Sequence, residues 1–133
     1  MKAILYSIHP QYAAEIYAGT KKFELRKRVP KVPLGTLCFI YETTPVASVT
    51  GCFRFGSTII FRVYDADPLF VHACRVTHEA FYHYYEGSEF GYAITIHQPR
   101  QFSPTYSLSN FGLSRPPQSY QFIDLPDNIL TNL

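Results

Sequence analysis

The feature that most constrains the fold is a charged stretch at residues 19–28, which begins with a glycine and then alternates regularly. It holds five of the chain's twelve lysines and arginines and a single carboxylate, Glu24. On an extended chain, alternate side chains share a face. One face would therefore be wholly charged, with Lys22, Glu24, Arg26 and Arg28, and the other would carry Lys21, Phe23, Leu25 and Lys27. The pattern predicts a strand, either a solvated outer strand kept soluble by its cations or a strand that faces a ligand.

The residues before this stretch predict a strand followed by a helix. Residues 2–8 are apolar and rich in β-branched and aromatic side chains, as strands are. Pro10 suits the first turn of a helix, where its missing N–H costs nothing. Apolar residues then recur at helical spacing up to Gly19, which suits the C-terminal cap.

The motif Gly19-x-Lys21-x-x-Glu24-x-Arg26 resembles the signature of the ASCH domain, a member of the PUA-like superfamily. The helix that ends in the signature glycine and the segments 41–46 and 116–120 are similar to their counterparts in single-domain members. The resemblance covers residues 2–123. It implies a small mixed β-barrel flanked by two or three helices, with the signature residues directed towards a cleft.

The rest of the chain predicts an α+β domain with a predominantly antiparallel sheet. Further strands are expected at residues 36–43, 46–55, 57–63, 89–99 and 119–123. Gly51 marks a bulge or bend in the second of these. Asp67 with Pro68, and Thr77, suit the starts of two helices. Residues 103–118 are predicted to be a loop with one helical turn, and the domain is expected to span residues 1–123, with 124–133 as a tail.

Composition narrows the class of protein. The 133 residues fit one domain, and the net charge of only +2 means that any affinity for nucleic acid must come from local patches. Three widely spaced cysteines predict reduced core thiols instead of a disulfide framework. No long apolar run or leader is seen, so a cytoplasmic protein that does not contact membranes is expected.

Candidate site residues centre on the signature. Arg26 offers a planar fork for phosphate or a base edge, and Lys21 offers a point charge, or a base if it is desolvated. A lysine at position 21 would face away from Glu24 on a regular strand, but it could reach the cleft from a turn before the strand. The full set of ligand-binding candidates is Lys21, Lys22, Glu24, Arg26, Arg28, Glu42, Thr43 and Tyr82. Lys21, Glu24 and Glu79 are the catalytic candidates if the protein is an enzyme, and histidine spacing predicts no metal site and no cofactor.

Two classes of function follow from the resemblance. The favoured one is an RNA- or nucleotide-binding protein, including a regulatory one, that uses a basic cleft. The alternative is a small hydrolase, because ASCH proteins include an amidohydrolase that deacetylates N4-acetylcytidine and a ribonuclease. The amidohydrolase has a threonine where this chain has Glu24, which argues against deacetylation. A modified nucleoside and RNA are the expected partners, and the oligomeric state is left open.

Overall fold

The computed structural model describes residues 1–131 and 133, which form a six-stranded mixed sheet flanked by helices. The strands are β1 (Lys2–Ile8), β2 (Phe23–Arg26), β3 (Leu37–Glu42), β4 (Ser48–Arg62), β5 (Phe90–Tyr106) and β6 (Tyr120–Asp124). The helices are α1 (Pro10–Ala18), α2 (Pro68–Ala73), α3 (His78–Tyr84) and α4 (Asp127–Leu130). Short 3-10 turns lie at Val63–Asp65 and Leu108–Phe111. The predicted α+β class is confirmed.

The strand order is β2-β5-β4-β3-β1-β6, in which β1 and β3 are parallel and the other pairs are antiparallel. β2 and β6 are therefore the edges, and the described backbone does not close into a complete barrel. The two edges are nevertheless close together. Arg26 on β2 donates hydrogen bonds to the carbonyl of Ser7 on β1 and to the hydroxyl of Ser119, just before β6. The curled sheet thus leaves a seam, and the signature residues lie in it.

The core covers both faces of the sheet. Alternate residues of β1 enter two different apolar clusters, with Leu5 packing beside Phe39 on one face and Ile4 beside Ile16 of α1 on the other. A third cluster joins Leu25 of β2 to Phe81 and other residues of the α2–α3 pair. Because β1 is buried on both faces, it reads as a continuous apolar run in the sequence.

Local sequence signals correctly predicted the end of α1 and the starts of α2 and α3. Gly19 ends α1 with a φ of 82°, a conformation that glycine adopts without strain. The Asp67 and Thr77 side chains accept hydrogen bonds from the first turns of α2 and α3, as expected. The predicted bulge at Gly51 is also present, since the β3–β4 register shifts between Ile40 and Tyr41, opposite it.

Three segments differ from the expectation. The strands predicted at residues 46–55 and 57–63 form one continuous strand, β4. Gly56 lies inside it, because the absence of a Cβ there leaves room for the His97 ring of β5. β5 continues beyond Pro99, which lies at a shift in the β4–β5 register where no ladder hydrogen bond is needed. Residues expected to form a tail contribute Leu125, and Ile129 of α4, to the core.

Candidate functional site

A cleft of about 820 Å3 opens along the seam between the two edges of the sheet. Its walls come from the end of β1, the start of α1, β2 and the residues after it, α3, and the segment leading into β6. The lining includes five charged residues of the signature stretch, Lys21, Glu24, Arg26, Lys27 and Arg28. The cleft brings together segments that lie more than ninety residues apart in the chain, from Ser7 to Tyr120.

The end of α1 positions Lys21. The backbone N–H groups of Thr20 and Lys21 both donate to the Glu15 carbonyl, so the chain turns back sharply after Gly19. Lys21 therefore precedes the first residue of β2, and its side chain does not follow the alternation of side chains between the two faces of that strand. Its side chain is only 3% exposed, and its Nζ donates to the Cys74 carbonyl at 2.6 Å and lies 4.9 Å from the centre of the Tyr12 ring.

Glu24 and Arg26 share one face of β2, as alternation predicts, but that face is not solvated. The two residues are 6% and 8% exposed. Arg26 Nη2 lies 3.4 Å from Glu24 Oε1, and the guanidinium carbon lies 4.8 Å from the centre of the Tyr6 ring. The outer-strand interpretation is therefore ruled out for these two residues.

The cluster of Lys21, Glu24 and Arg26 carries a formal charge of +1 when all three side chains are ionised. Burial lowers the pKa of the Lys21 ammonium, and the nearby Glu24 carboxylate opposes part of that shift. Two buried polar atoms of the cluster, Glu24 Oε2 and Arg26 Nε, have no hydrogen-bond partner in the described chain. Buried polar atoms are usually paired, so these two atoms are exceptions within the cluster.

The rim of the cleft adds cations and polar groups. Lys27 and Arg28 are exposed, and Lys27 Nζ lies 5.0 Å from the centre of the Tyr84 ring. Thr43, directly after β3, also lines the cleft, and its hydroxyl lies 3.3 Å from Nδ1 of His9.

Four of the predicted site residues lie outside the lining of this cleft. Lys22 is exposed, and Glu42 is buried near the Tyr17 phenol. Glu79 is exposed in the first turn of α3. Tyr82 stacks on Tyr64 with ring centres 6.4 Å apart.

The structure also adds residues that the sequence did not single out: Ser7, His9, Tyr12, Tyr84, Ser119 and Tyr120. Phe81 and Tyr85 are buried and four residues apart, which fixes the inner face of α3. Tyr82 and Tyr84 flank that face equally, so the sequence could not choose between them. Ser119 had no sequence signal, because its position depends on how β6 pairs with β1.

No group of three or more histidine, cysteine, aspartate or glutamate side chains in residues 1–131 and 133 is arranged to hold a metal ion. The three cysteines are free and buried. None of the helices described is long and apolar enough to span a membrane.

The fold and the cleft define a small α+β domain with a buried cluster of two cations and a carboxylate. The family model for the ASCH domain matches residues 7–100, and the chain belongs to the ASCH domain family. The resemblance noted from the signature is thereby confirmed.

Relatives in Zymomonas mobilis are similar over nearly the whole chain. An ASCH domain-containing ribonuclease from Zymomonas mobilis subsp. mobilis is 30% identical over 128 residues, which cover 92% of this chain and 84% of that protein. The crystal structure of ASCH from Zymomonas mobilis superposes with a TM-score of 0.79 at 26% identity, covering 97% of this chain and 91% of that one. A ZmASCH variant with a tyrosine replaced by phenylalanine gives a TM-score of 0.80 at 26% identity, over 100% and 99% of the two chains.

Proposed function

We propose that this chain binds single-stranded RNA in the cleft and cleaves the RNA backbone at the cluster of Lys21, Glu24 and Arg26. The observation that carries the proposal is the pair of buried, unpartnered atoms, Glu24 Oε2 and Arg26 Nε, beside a desolvated lysine. The relative described as a ribonuclease supports the same substrate class.

The charge of the cluster suits a phosphodiester. The net charge of +1 is neutralised by one phosphate group, and the cluster lies where water is largely excluded, so the attraction is weakly screened. The cleft volume is within the range of about 300–1,000 Å3 that encloses a small ligand, which fits one or two nucleotides of a flexible strand and excludes a duplex. Lys27 and Arg28 at the rim supply contacts for the flanking phosphates.

The cluster also offers a base and two cations for cleavage of RNA by its own 2′-hydroxyl. In the proposed reaction Glu24 Oε2 accepts the proton of the 2′-hydroxyl, the O2′–P bond forms, and the P–O5′ bond breaks. Lys21 and Arg26 stabilise the charge that develops on the phosphate oxygens. The products are a 2′,3′-cyclic phosphate and a 5′-hydroxyl, once a proton has been supplied to the departing O5′.

Binding without cleavage is the second candidate, and a specific observation favours it. Lys21 Nζ and Arg26 Nη2 already donate to the backbone carbonyls of Cys74 and Ser7, as purely structural residues would. A binding module, including a regulatory one, needs only the charge of the cleft. Deacylation of N4-acylcytidine is a further outcome to test, since a lysine with a lowered pKa can act as a base. The free thiols are compatible with the cytoplasm, where we propose that the protein acts.

The test is cleavage of a short single-stranded RNA by the purified protein in the presence of EDTA. Glu24→Gln should lower the cleavage rate at least about 100-fold, the usual contribution of a general base, while RNA binding is retained. Lys22→Ala is the matched control, because Lys22 is an exposed cation of the same stretch outside the cleft, and it should cleave like the parent. Wild-type binding without cleavage would support the binding module, and release of acetate from N4-acetylcytidine would support the amidohydrolase. Full activity of Glu24→Gln would overturn the proposed reaction.

A further inference from the structure

The buried cluster provides a proton acceptor, but the reaction also needs a proton donor for the departing O5′. Lys21 already has the task of stabilising the charge on the phosphate oxygens, and its ammonium also donates to the Cys74 carbonyl at 2.6 Å. The donor must lie in the same cleft and carry a proton near neutral pH. Histidine is the side chain that most often does this.

His9 is the histidine that lines the cleft, at the junction between β1 and α1. Its Nδ1 lies 3.3 Å from the Thr43 hydroxyl. A protonated imidazole donates from both nitrogens, so Nδ1–H would be held by Thr43 and Nε2–H would be left for a substrate. In catalytic histidines, one ring nitrogen is typically fixed by a hydrogen bond to the protein and the other contacts the substrate.

Two groups of the protein lie next to the His9 ring. The Thr43 hydroxyl faces it from the end of β3, and the Tyr12 ring faces it from α1, with ring centres 6.2 Å apart. The Lys21 ammonium contacts the same Tyr12 ring. Tyr12 therefore links His9 to the buried cluster, and His9 and Glu24 both line the cleft.

We infer that His9 is the general acid of the proposed cleavage reaction, with Thr43 as its positioning residue. The inference rests on the proposed function. His9 Nε2 gives its proton to O5′ as the P–O5′ bond breaks, while Glu24 takes the proton of the 2′-hydroxyl as the O2′–P bond forms. The proton count balances, with one accepted and one donated in each turnover.

The experiment compares two RNAs of the same sequence, one natural and one in which sulfur replaces O5′ at the cleaved linkage. A thiolate leaves without a proton, so the sulfur substrate does not need the acid. His9→Asn should lower cleavage of the natural RNA about 100-fold or more and leave cleavage of the sulfur substrate within a few fold.

The variant is expected to fold, because His9 occupies the N-cap position of α1 without a side-chain cap hydrogen bond, and asparagine is a preferred residue there. Thr43→Val should give a smaller loss, again confined to the natural RNA. His83→Asn, an exposed histidine of α3 outside the cleft, is the matched control and should match the parent. Equal loss on both substrates, or no loss on either, would overturn the role of His9 while leaving the proposed function intact. A parent protein inactive on both substrates would overturn both.

Discussion

Replacing Arg26 with leucine should destabilise the fold strongly, because this guanidinium holds the seam between the two edges of the sheet. The change removes hydrogen bonds to the Ser7 carbonyl and the Ser119 hydroxyl. It also leaves the Glu24 carboxylate, 8% exposed in its side chain, without the cation 3.4 Å away. Breaking a buried ion pair by removing one partner costs about 3–5 kcal/mol. We expect a loss in that range for Arg26→Leu.

The size of this effect is large relative to the stability of the whole domain. Domains of this size unfold with about 5–15 kcal/mol, so the variant should fold but denature early. With a slope of about 1–3 kcal/mol per molar urea, the midpoint should fall by about 1–5 M. Circular dichroism is the suitable probe, since the chain contains no tryptophan.

A double-mutant cycle separates the ion pair from the other contacts of Arg26. In a Glu24→Gln background no buried carboxylate is left without its cation, so Arg26→Leu should cost less, by about 0.5–3 kcal/mol. Arg28→Leu is the matched control, since that guanidinium is exposed two residues away, and it should change the stability by no more than about 0.5 kcal/mol. A loss below about 1 kcal/mol for Arg26→Leu, or strict additivity in the cycle, would refute the reasoning.

Three further predictions test the rim, the thiol beside the cluster and the C-terminal helix. Lys27→Ala and Arg28→Ala should each reduce the slope of log affinity against log salt for single-stranded RNA by about 0.7; unchanged slopes in a filter-binding salt series would place the RNA elsewhere. Burial raises the pKa of Cys74 from 9.0 to about 11, so the unfolded thiol loses its proton first and this thiol alone should contribute a fall in stability of about 3 kcal/mol as pH rises across that window. Urea unfolding of Cys74→Ala should show a smaller fall, and parallel curves would contradict the assignment. Ile129→Ala should cost about 2–5 kcal/mol and the exposed Leu130→Ala less than about 1 kcal/mol; equal thermal shifts would mean that α4 is not part of the core.

The sequence predicted those parts of the fold that depend on local chemistry. Gly19, Asp67 and Thr77 act through their own backbone and the next few residues, so their roles as caps could be inferred without the fold. The length of β5 could not be inferred without the fold. Pro99 ends a strand by local rules, and only the register shift against β4 makes it acceptable there.

The candidate site also contains residues that the sequence predicted and residues that it did not. Lys21, Glu24 and Arg26 lie close together in sequence, and the resemblance pointed to them as a group. These three residues are buried because β1 and the segment before β6 pack next to β2 and form the seam. His9 and Ser119 enter the site through that long-range packing, and Glu42 and Tyr82 are directed elsewhere by it. A strand pattern reports which residues share a face but not what covers the face.

The measurement that most directly tests the central claim is the chemical identity of the ends produced from RNA. A short single-stranded RNA is incubated with the protein in EDTA, and the products are analysed by mass spectrometry. A second RNA has one 2′-deoxy nucleotide on the 5′ side of the cleaved linkage. Attack by the 2′-hydroxyl at the Lys21, Glu24 and Arg26 cluster predicts a 2′,3′-cyclic phosphate, a 5′-hydroxyl and no cleavage at the deoxy position. A 5′-phosphate product, or cleavage that persists at the deoxy position, would contradict the account.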